Sequence, residues 1–152
     1  MTIEERIKQN QFKHSYHKLA INLMYTTSLL ETHLKYFFKQ EEVTLQQYNI
    51  LRILRGSRPQ ALSTLQIRER MMDKMSDTSR IVDRMLVKKL VTKKTCPDDN
   101  RLVDVRITEK GMQVLSKLDA VEDRIEQFMN GISEAEAEQV SNLLDRLHVV
   151  ES

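Results

Sequence analysis

Between residues 74 and 88 the run KMSDTSRIVDRMLVK sets polar side chains against apolar ones at helical spacing. Met75, Ile81, Val82, Met85 and Leu86 are predicted to face inward. That leaves Lys74, Ser76, Asp77, Ser79, Arg80, Asp83, Arg84 and Lys88 on the outside. Short hydroxyl side chains at the start of such a helix let its backbone come close to a base edge. Arg80 has the reach and the forked donors to engage O6 and N7 of a guanine. Arg84 and Lys88, further along, suit phosphate oxygens. An ordinary solvated helix face has the same composition, so the meaning of the pattern depends on its surroundings.

A second constellation is Asp99 two residues before Arg101. A carboxylate there can hold a guanidinium extended, and an arginine at a hairpin tip can enter a narrow, negative minor groove. The other reactive side chains point to no chemistry of their own. His14, His17, His33 and His148 lack a compact metal-ligand spacing. Cys96, the single cysteine, lies near Lys93 and Lys94, which would lower its pKa, yet a passive thiol is the simpler reading. The methionines between 71 and 85 read as adaptable core filling. No phosphate-binding loop, nucleophile elbow or paired-carboxylate context is present, so neither catalysis nor a cofactor is expected.

Charge is unevenly distributed. Residues 44–110 hold 15 Lys and Arg against 8 Asp and Glu, whereas the rest of the chain holds 9 against 14. A basic middle between acidic ends implies that the middle meets a polyanion. No apolar run is long enough to span a bilayer, and the N-terminus has no apolar signal region. With one unpaired cysteine, this places the chain in the cytoplasm, away from membranes.

The elements that must position these residues follow from periodicity. Phe12, Tyr16, Leu19, Leu23, Thr27, Leu30, Leu34 and Phe37 form one apolar stripe on a helix of about seven turns, long enough to want a partner. Thr44–Gln47 and Ser63–Gln66 both have the form of a capping box, opening two further helices. Gly56-Ser57-Arg58-Pro59 ends the first of these. Asp73 or Ser76 is predicted to cap the helix that carries Arg80. The period then changes to two: Leu90–Thr95 and Val103-Asp104-Val105-Arg106-Ile107 read as strands joined by a turn at 96–100. Thr108 caps a long helix whose stripe runs from Val114 to Met129, and Gly131 stops it. Ser133–Glu136 opens a last helix with Val140, Leu143, Leu144 and Leu147. The fold class is mainly α with a small β-hairpin: a winged helix-turn-helix plus helices outside it.

Four segments in fixed order, Thr44-Leu45-Gln46-Gln47-Tyr48, Ser76 through Met85, Asp99-Asn100-Arg101 and Ile107-Thr108-Glu109-Lys110-Gly111, resemble the multiple-antibiotic-resistance regulator (MarR) family. The resemblance covers residues 44–111. It implies a single unit over 1–152 that forms a homodimer, with residues 8–40 and 111–150 as a helical dimerisation lobe and 44–110 as a winged helix-turn-helix lobe on double-stranded DNA. It implies base or backbone contacts from Ser76, Ser79, Arg80 and Arg84, with Lys74, Asp77 and Lys88 on the same helix. Gln47, Thr64 and Lys93 would support them, and Arg101, steadied by Asp99, would take the minor-groove role. A ligand-responsive repressor of pseudo-palindromic operators follows, with aromatic or phenolic effectors. A winged-helix protein-interaction module that never touches DNA is the alternative, since fold does not fix function. Two positions depart from the family pattern. Lys89 stands where the family usually has Gly, and Asn100 replaces a common basic residue.

Overall fold

The computed structural model describes residues 1–95, 97–99 and 103–148. The elements follow the predicted order. Helix α1 spans Ile3–Ile7, α2 Ser15–Lys39, α3 Leu45–Ser57, α4 Thr64–Arg70 and α5 Thr78–Val87. Strands β1 (Val91–Thr95) and β2 (Val103–Ile107) follow, then α6 (Glu109–Leu118), α7 (Val121–Met129) and α8 (Glu134–Asp145).

Helix starts are where the sequence signals act most directly. Capping boxes form at Thr44–Gln47, Ser63–Gln66 and Ser133–Glu136, each satisfying two amides that a helix N-terminus leaves without partners. Thr108 caps α6 by accepting from the Gly111 amide at 3.0 Å. A fourth box, Thr2–Glu5, opens α1. That short helix was not expected, because five residues are too few to display a stripe.

The core is built where α3, α5, β2 and α6 meet. Phe38, Ile50, Leu51, Leu54, Ile67, Val82, Met85, Val105, Leu115 and Leu118 are fully buried, each adding roughly 1.5–3 kcal/mol of apolar transfer. The hairpin is antiparallel, with Val91 opposite Ile107 and Thr95 opposite Val103. Val105 also exchanges backbone hydrogen bonds with Leu62, at 2.8 and 3.1 Å, so β2 sits between β1 and the segment before α4. The wing is thereby stitched to the helix-turn-helix rather than hanging from it. Its alternation is clear in β2, where Val105 is buried and Asp104 and Arg106 are exposed.

The turn from α5 into β1 settles the question raised by Lys89. This residue is left-handed, with φ 61°, in the place where glycine is the usual choice. The Lys89 amide donates to the Leu86 carbonyl and the Leu90 amide to the Met85 carbonyl, both at 3.0 Å. Those two bonds form a Schellman cap, so the geometry survives the substitution, at a strain of roughly 1–2 kcal/mol. The glycine that the packing does require is Gly111. A Cβ there would lie 2.3 Å from the Leu90 carbonyl oxygen and 2.8 Å from Cγ1 of Ile107.

The long helix expected from Thr108 to Met129 is bent. It divides at Asp119 and Ala120 into α6 and α7. Asp119 takes two hydrogen bonds from the Arg55 guanidinium, at 3.0 and 2.8 Å, which anchors the junction to α3. The Asp119 carboxylate holds the Arg55 pKa above its ordinary value. Beyond the bend, α7 packs on α2, where His33 pairs with the Arg124 carbonyl at 3.1 Å and the Arg124 guanidinium lies 5.7 Å from the Phe37 ring centre. Only the last turns of α2 are covered this way. Leu34 and Phe38 are buried, whereas Tyr16, Leu19 and Met24 on the same helix are exposed. In α8 no residue is buried at all.

Candidate nucleic-acid interface

The helix carrying Arg80 begins later than expected. Its cap is Asp77, whose carboxylate accepts from the Arg80 amide at 3.2 Å. Asp73 and Ser76, the predicted caps, belong to the preceding turn. The Asp73 carboxylate accepts from the Met75 amide at 2.9 Å and its carbonyl from the Ser76 amide at 3.2 Å. Met75, predicted to face inward, is 91% exposed, because it lies in that turn, where helical periodicity does not apply. Within the helix proper the pattern holds. Val82 and Met85 are buried, Ile81 and Leu86 are half-buried, and Ser79, Arg80, Asp83 and Arg84 are exposed. Arg80 and Arg84 are one turn apart and share a face. Asp77 is thus both a surface residue and the cap that fixes where this face begins.

The remaining predicted residues divide by what holds them. The Lys74 ammonium donates to the Glu69 carbonyl at 2.8 Å, closing the end of α4. Thr64, half-buried in the first turn of α4, lines a groove of about 420 Å3 together with Arg68, Ser76, Thr78 and Ser79. Lys93, on β1, makes an ion pair with Asp83 at 3.2 Å, linking wing to helix. Asp99 is described and half-buried. Arg101, Asn100 and Cys96 lie outside the described residues.

Two predicted contacts are engaged within the protein instead, one through burial and one through hydrogen bonds. Gln47 is 4% exposed. Its side-chain oxygen accepts from the Thr44 amide and from the Lys88 ammonium, each at 3.2 Å. It is committed to a capping box inside the protein and cannot present itself to a phosphate. Lys88, the second correction, also donates to the Glu42 carbonyl. The ammonium that was expected to face phosphate instead bolts the end of α5 to the loop between α2 and α3. The causes differ: periodicity around α5 does not reveal that the loop between α2 and α3 packs over its last turn, and the Gln47 contact came from the family resemblance, which does not show that this side chain is buried.

A residue that periodicity did not single out is Asn49. It is 5% exposed, and its side-chain carbonyl accepts from the Met72 amide at 2.9 Å. It holds the link between α4 and α5, and with it the position of the Arg80 helix. Its only trace in the sequence is a polar residue within an apolar helix stretch. Beside it lies a crevice of about 380 Å3 between α2, α3 and this link, walled by Leu30, Leu34, Leu45, Met71 and Met72.

Comparison with known proteins agrees with this arrangement. Residues 43–103 match the family model described as the MarR family. The HTH-type transcriptional repressor IacR of Pseudomonas putida is 27% identical over 108 residues, which are 70% of this chain and 64% of that relative's length. A cysteine-to-serine mutant of MarR from E. coli, solved in complex with operator DNA, has a TM-score of 0.78 at 16% identity, covering 91% of this chain and 99% of its own. The organohalide-sensing regulator RdhR, solved with 2,4-dichlorophenol bound, has a TM-score of 0.81 at 20% identity, covering 91% of this chain and 85% of its own. At these identities the two structures attest the fold. The winged helix-turn-helix, the capped helix with its Ser79, Arg80 and Arg84 face, and the match over 43–103 lead to one conclusion: this part of the chain is similar to the MarR family of transcription regulators.

Proposed function

We propose that this chain is a cytoplasmic, dimeric regulator that binds pseudo-palindromic sites on double-stranded DNA and acts as a repressor released by a small aromatic or phenolic ligand. The observation that carries this reading is the exposed face of α5. Ser79, Arg80 and Arg84 project from a helix capped at one end by Asp77 and bolted at the other by Lys88. A helix so held can enter a major groove without paying for its own ordering. Arg80 would read a guanine and Arg84 a phosphate. Lys93 would join them from the wing by leaving Asp83, and Arg101 would reach the minor groove with Asp99 beside it.

Dimerisation follows from what one copy leaves uncovered. A 12-residue helix such as α8 is marginal by itself in water, and Leu143 and Leu147 are more than half exposed. Leu19 and Met24 of α2 are exposed as well, and exposed apolar side chains of this kind suit contact with a second copy of the chain. A two-fold dimer would present two α5 helices, and half-sites about one helical turn apart, near 34–36 Å, would accept them. The family comprises transcription regulators rather than enzymes, and the residues above need no catalytic role.

The crevice beside Asn49 supplies a route for the ligand. Its walls are largely apolar, it opens between the long helix and the winged-helix lobe, and it touches the Met72 segment that Asn49 holds. A ring wedged there would favour states with a different α5 position and so lower operator affinity. The test is duplex binding as a function of salt, after selection of bound sequences from a random pool. Affinity should fall by about 10³–10⁵ between 50 and 200 mM salt if six to ten phosphates are engaged. Binding that is absent or flat with salt would favour the protein-interaction module instead.

A further inference from the structure

The crevice between α2, α3 and the link from α4 to α5 carries charge of one sign. Its walls are apolar, with Leu34 and Met71 buried, yet two carboxylates open on it, Glu31 from α2 and Asp73 from the link. No lysine, arginine or histidine lines it. Glu31 is exposed and makes no ion pair among the described residues. Lys35, one turn along the same helix, lines the neighbouring hollow instead. Lys74, next to Asp73, is committed to the Glu69 carbonyl. A third polar group lines the same space. Asn49 is 5% exposed, and its side-chain oxygen is fixed by the Met72 amide, which can only donate. The side-chain nitrogen therefore points the other way and has no acceptor among the described residues. Nor is it sealed: among the described residues only Glu4 Oε2, Ser76 Oγ and Thr78 Oγ1 are side-chain atoms both sealed and unpaired. A buried amide with its donor open to a crevice is a group that a ligand oxygen would satisfy.

We infer that the crevice takes a ligand whose aromatic body carries a protonated amine and, apart from it, an oxygen acceptor, with the amine between Glu31 and Asp73 and the oxygen on the Asn49 amide. The inference rests on the effector reading above and deepens it by fixing the sign of the effector's charge. An aromatic carboxylate would set a third negative charge beside two, whereas an ammonium offsets both. The same residues connect occupancy to DNA. Glu31 belongs to the long helix, and Asp73 holds the turn ahead of α5, its carboxylate accepting from the Met75 amide and its carbonyl from the Ser76 amide. An ammonium shared by both carboxylates would draw that turn toward α2 and shift α5, which begins at the Asp77 cap. A state that brings the two carboxylates together gains most from the cation, and this is the differential affinity that such a shift requires.

The test uses the full-length protein and phenols of one shape: tyramine, a cation; 4-ethylphenol, neutral; and 4-hydroxyphenylacetate, an anion. Calorimetry at fixed ionic strength should rank them in that order, with tyramine bound about tenfold more tightly than the anion. Phenethylamine, which lacks the hydroxyl that would accept from Asn49, should bind more weakly than tyramine; equal binding would remove Asn49 from the site. Glu31→Gln and Asp73→Asn each delete one charge, and the second keeps an oxygen for the Met75 amide. Each should weaken tyramine by about tenfold and leave 4-ethylphenol unchanged. Glu31→Lys should turn the ranking toward the anion. On a selected duplex, tyramine should lower the affinity of the wild type but not of Glu31→Lys. Tighter binding of 4-hydroxyphenylacetate than of tyramine by the wild type would overturn the assigned charge and leave the effector reading standing. Tyramine binding untouched by both neutral variants would place its site elsewhere and overturn this one. Tyramine bound in the crevice without any change in duplex affinity would overturn the coupling to α5. Failure of every probe to bind would overturn the crevice as an effector site, while salt-dependent duplex binding would still decide the DNA-binding reading by itself.

Discussion

Replacing Gly111 with alanine should destabilise the protein, although alanine is the better helix former. The added Cβ would lie 2.3 Å from the Leu90 carbonyl oxygen, whereas an ordinary carbon–oxygen contact is about 3.3 Å or more. One side must therefore retreat by about 1 Å. The Leu90 carbonyl cannot move cheaply. It accepts from the Thr108 amide at 3.1 Å, and the Leu90 amide closes the Schellman cap on Met85 at 3.0 Å. Helix α6 would have to shift instead, loosening fully buried Leu115 and Leu118 and straining the Thr108 cap. Overpacking of this kind costs roughly 1–3 kcal/mol, and a weakened cap adds about 1 kcal/mol. Against this stands a helix-propensity gain of about 1 kcal/mol at most. The net loss is about 1–3 kcal/mol, or a melting temperature lower by about 2–12 °C at this chain length. Urea unfolding at matched protein concentration measures it, since the proposed dimerisation would make stability depend on concentration. A Gly111→Ala protein as stable as wild type would show that α6 does not approach the Leu90 carbonyl closely enough to exclude a side chain.

Lys89→Gly should act in the opposite direction, stabilising by about 1 kcal/mol because the left-handed turn loses its Cβ penalty; a midpoint that falls would mean that the lysine side chain makes a compensating contact. Arg80→Ala should flatten preference among half-site sequences and cost roughly 1–3 kcal/mol at one base pair, and an unaltered selection profile would remove Arg80 from the readout. Leu143→Glu with Leu147→Glu should shift the protein to monomers by sedimentation and weaken duplex binding; an undisturbed dimer would place the interface elsewhere. The Ser133 amide and hydroxyl donate to the Glu136 carboxylate at 2.8 and 3.0 Å and hold its pKa below the ordinary value. A depressed carboxylate contributes stability above its unfolded pKa and loses that contribution as pH falls through the folded one. The Glu136 carboxyl should therefore titrate below the ordinary glutamate value by NMR, and Ser133→Gly, which deletes the hydroxyl but keeps the amide donor, should bring it only part of the way back.

Much of this molecule is local in origin, and that part could be read from residue order. Helix starts depend on side chains within three residues of one another, so the boxes at Thr44, Ser63 and Ser133 were legible as written. The change of period at residue 90 and the outward set Ser79, Arg80 and Arg84 were legible for the same reason. Family spacing ordered these pieces and pointed to the α5 face. What only the tertiary structure decided are contacts between segments distant in the chain. Lys88 and Gln47 meet across 41 positions, Asn49 and Met72 across 23, and Arg55 and Asp119 across 64. Each of those pairs assigns a polar side chain to holding an element rather than touching a ligand. Periodicity places a residue on a face of its own helix, but it carries no information about what packs over that face.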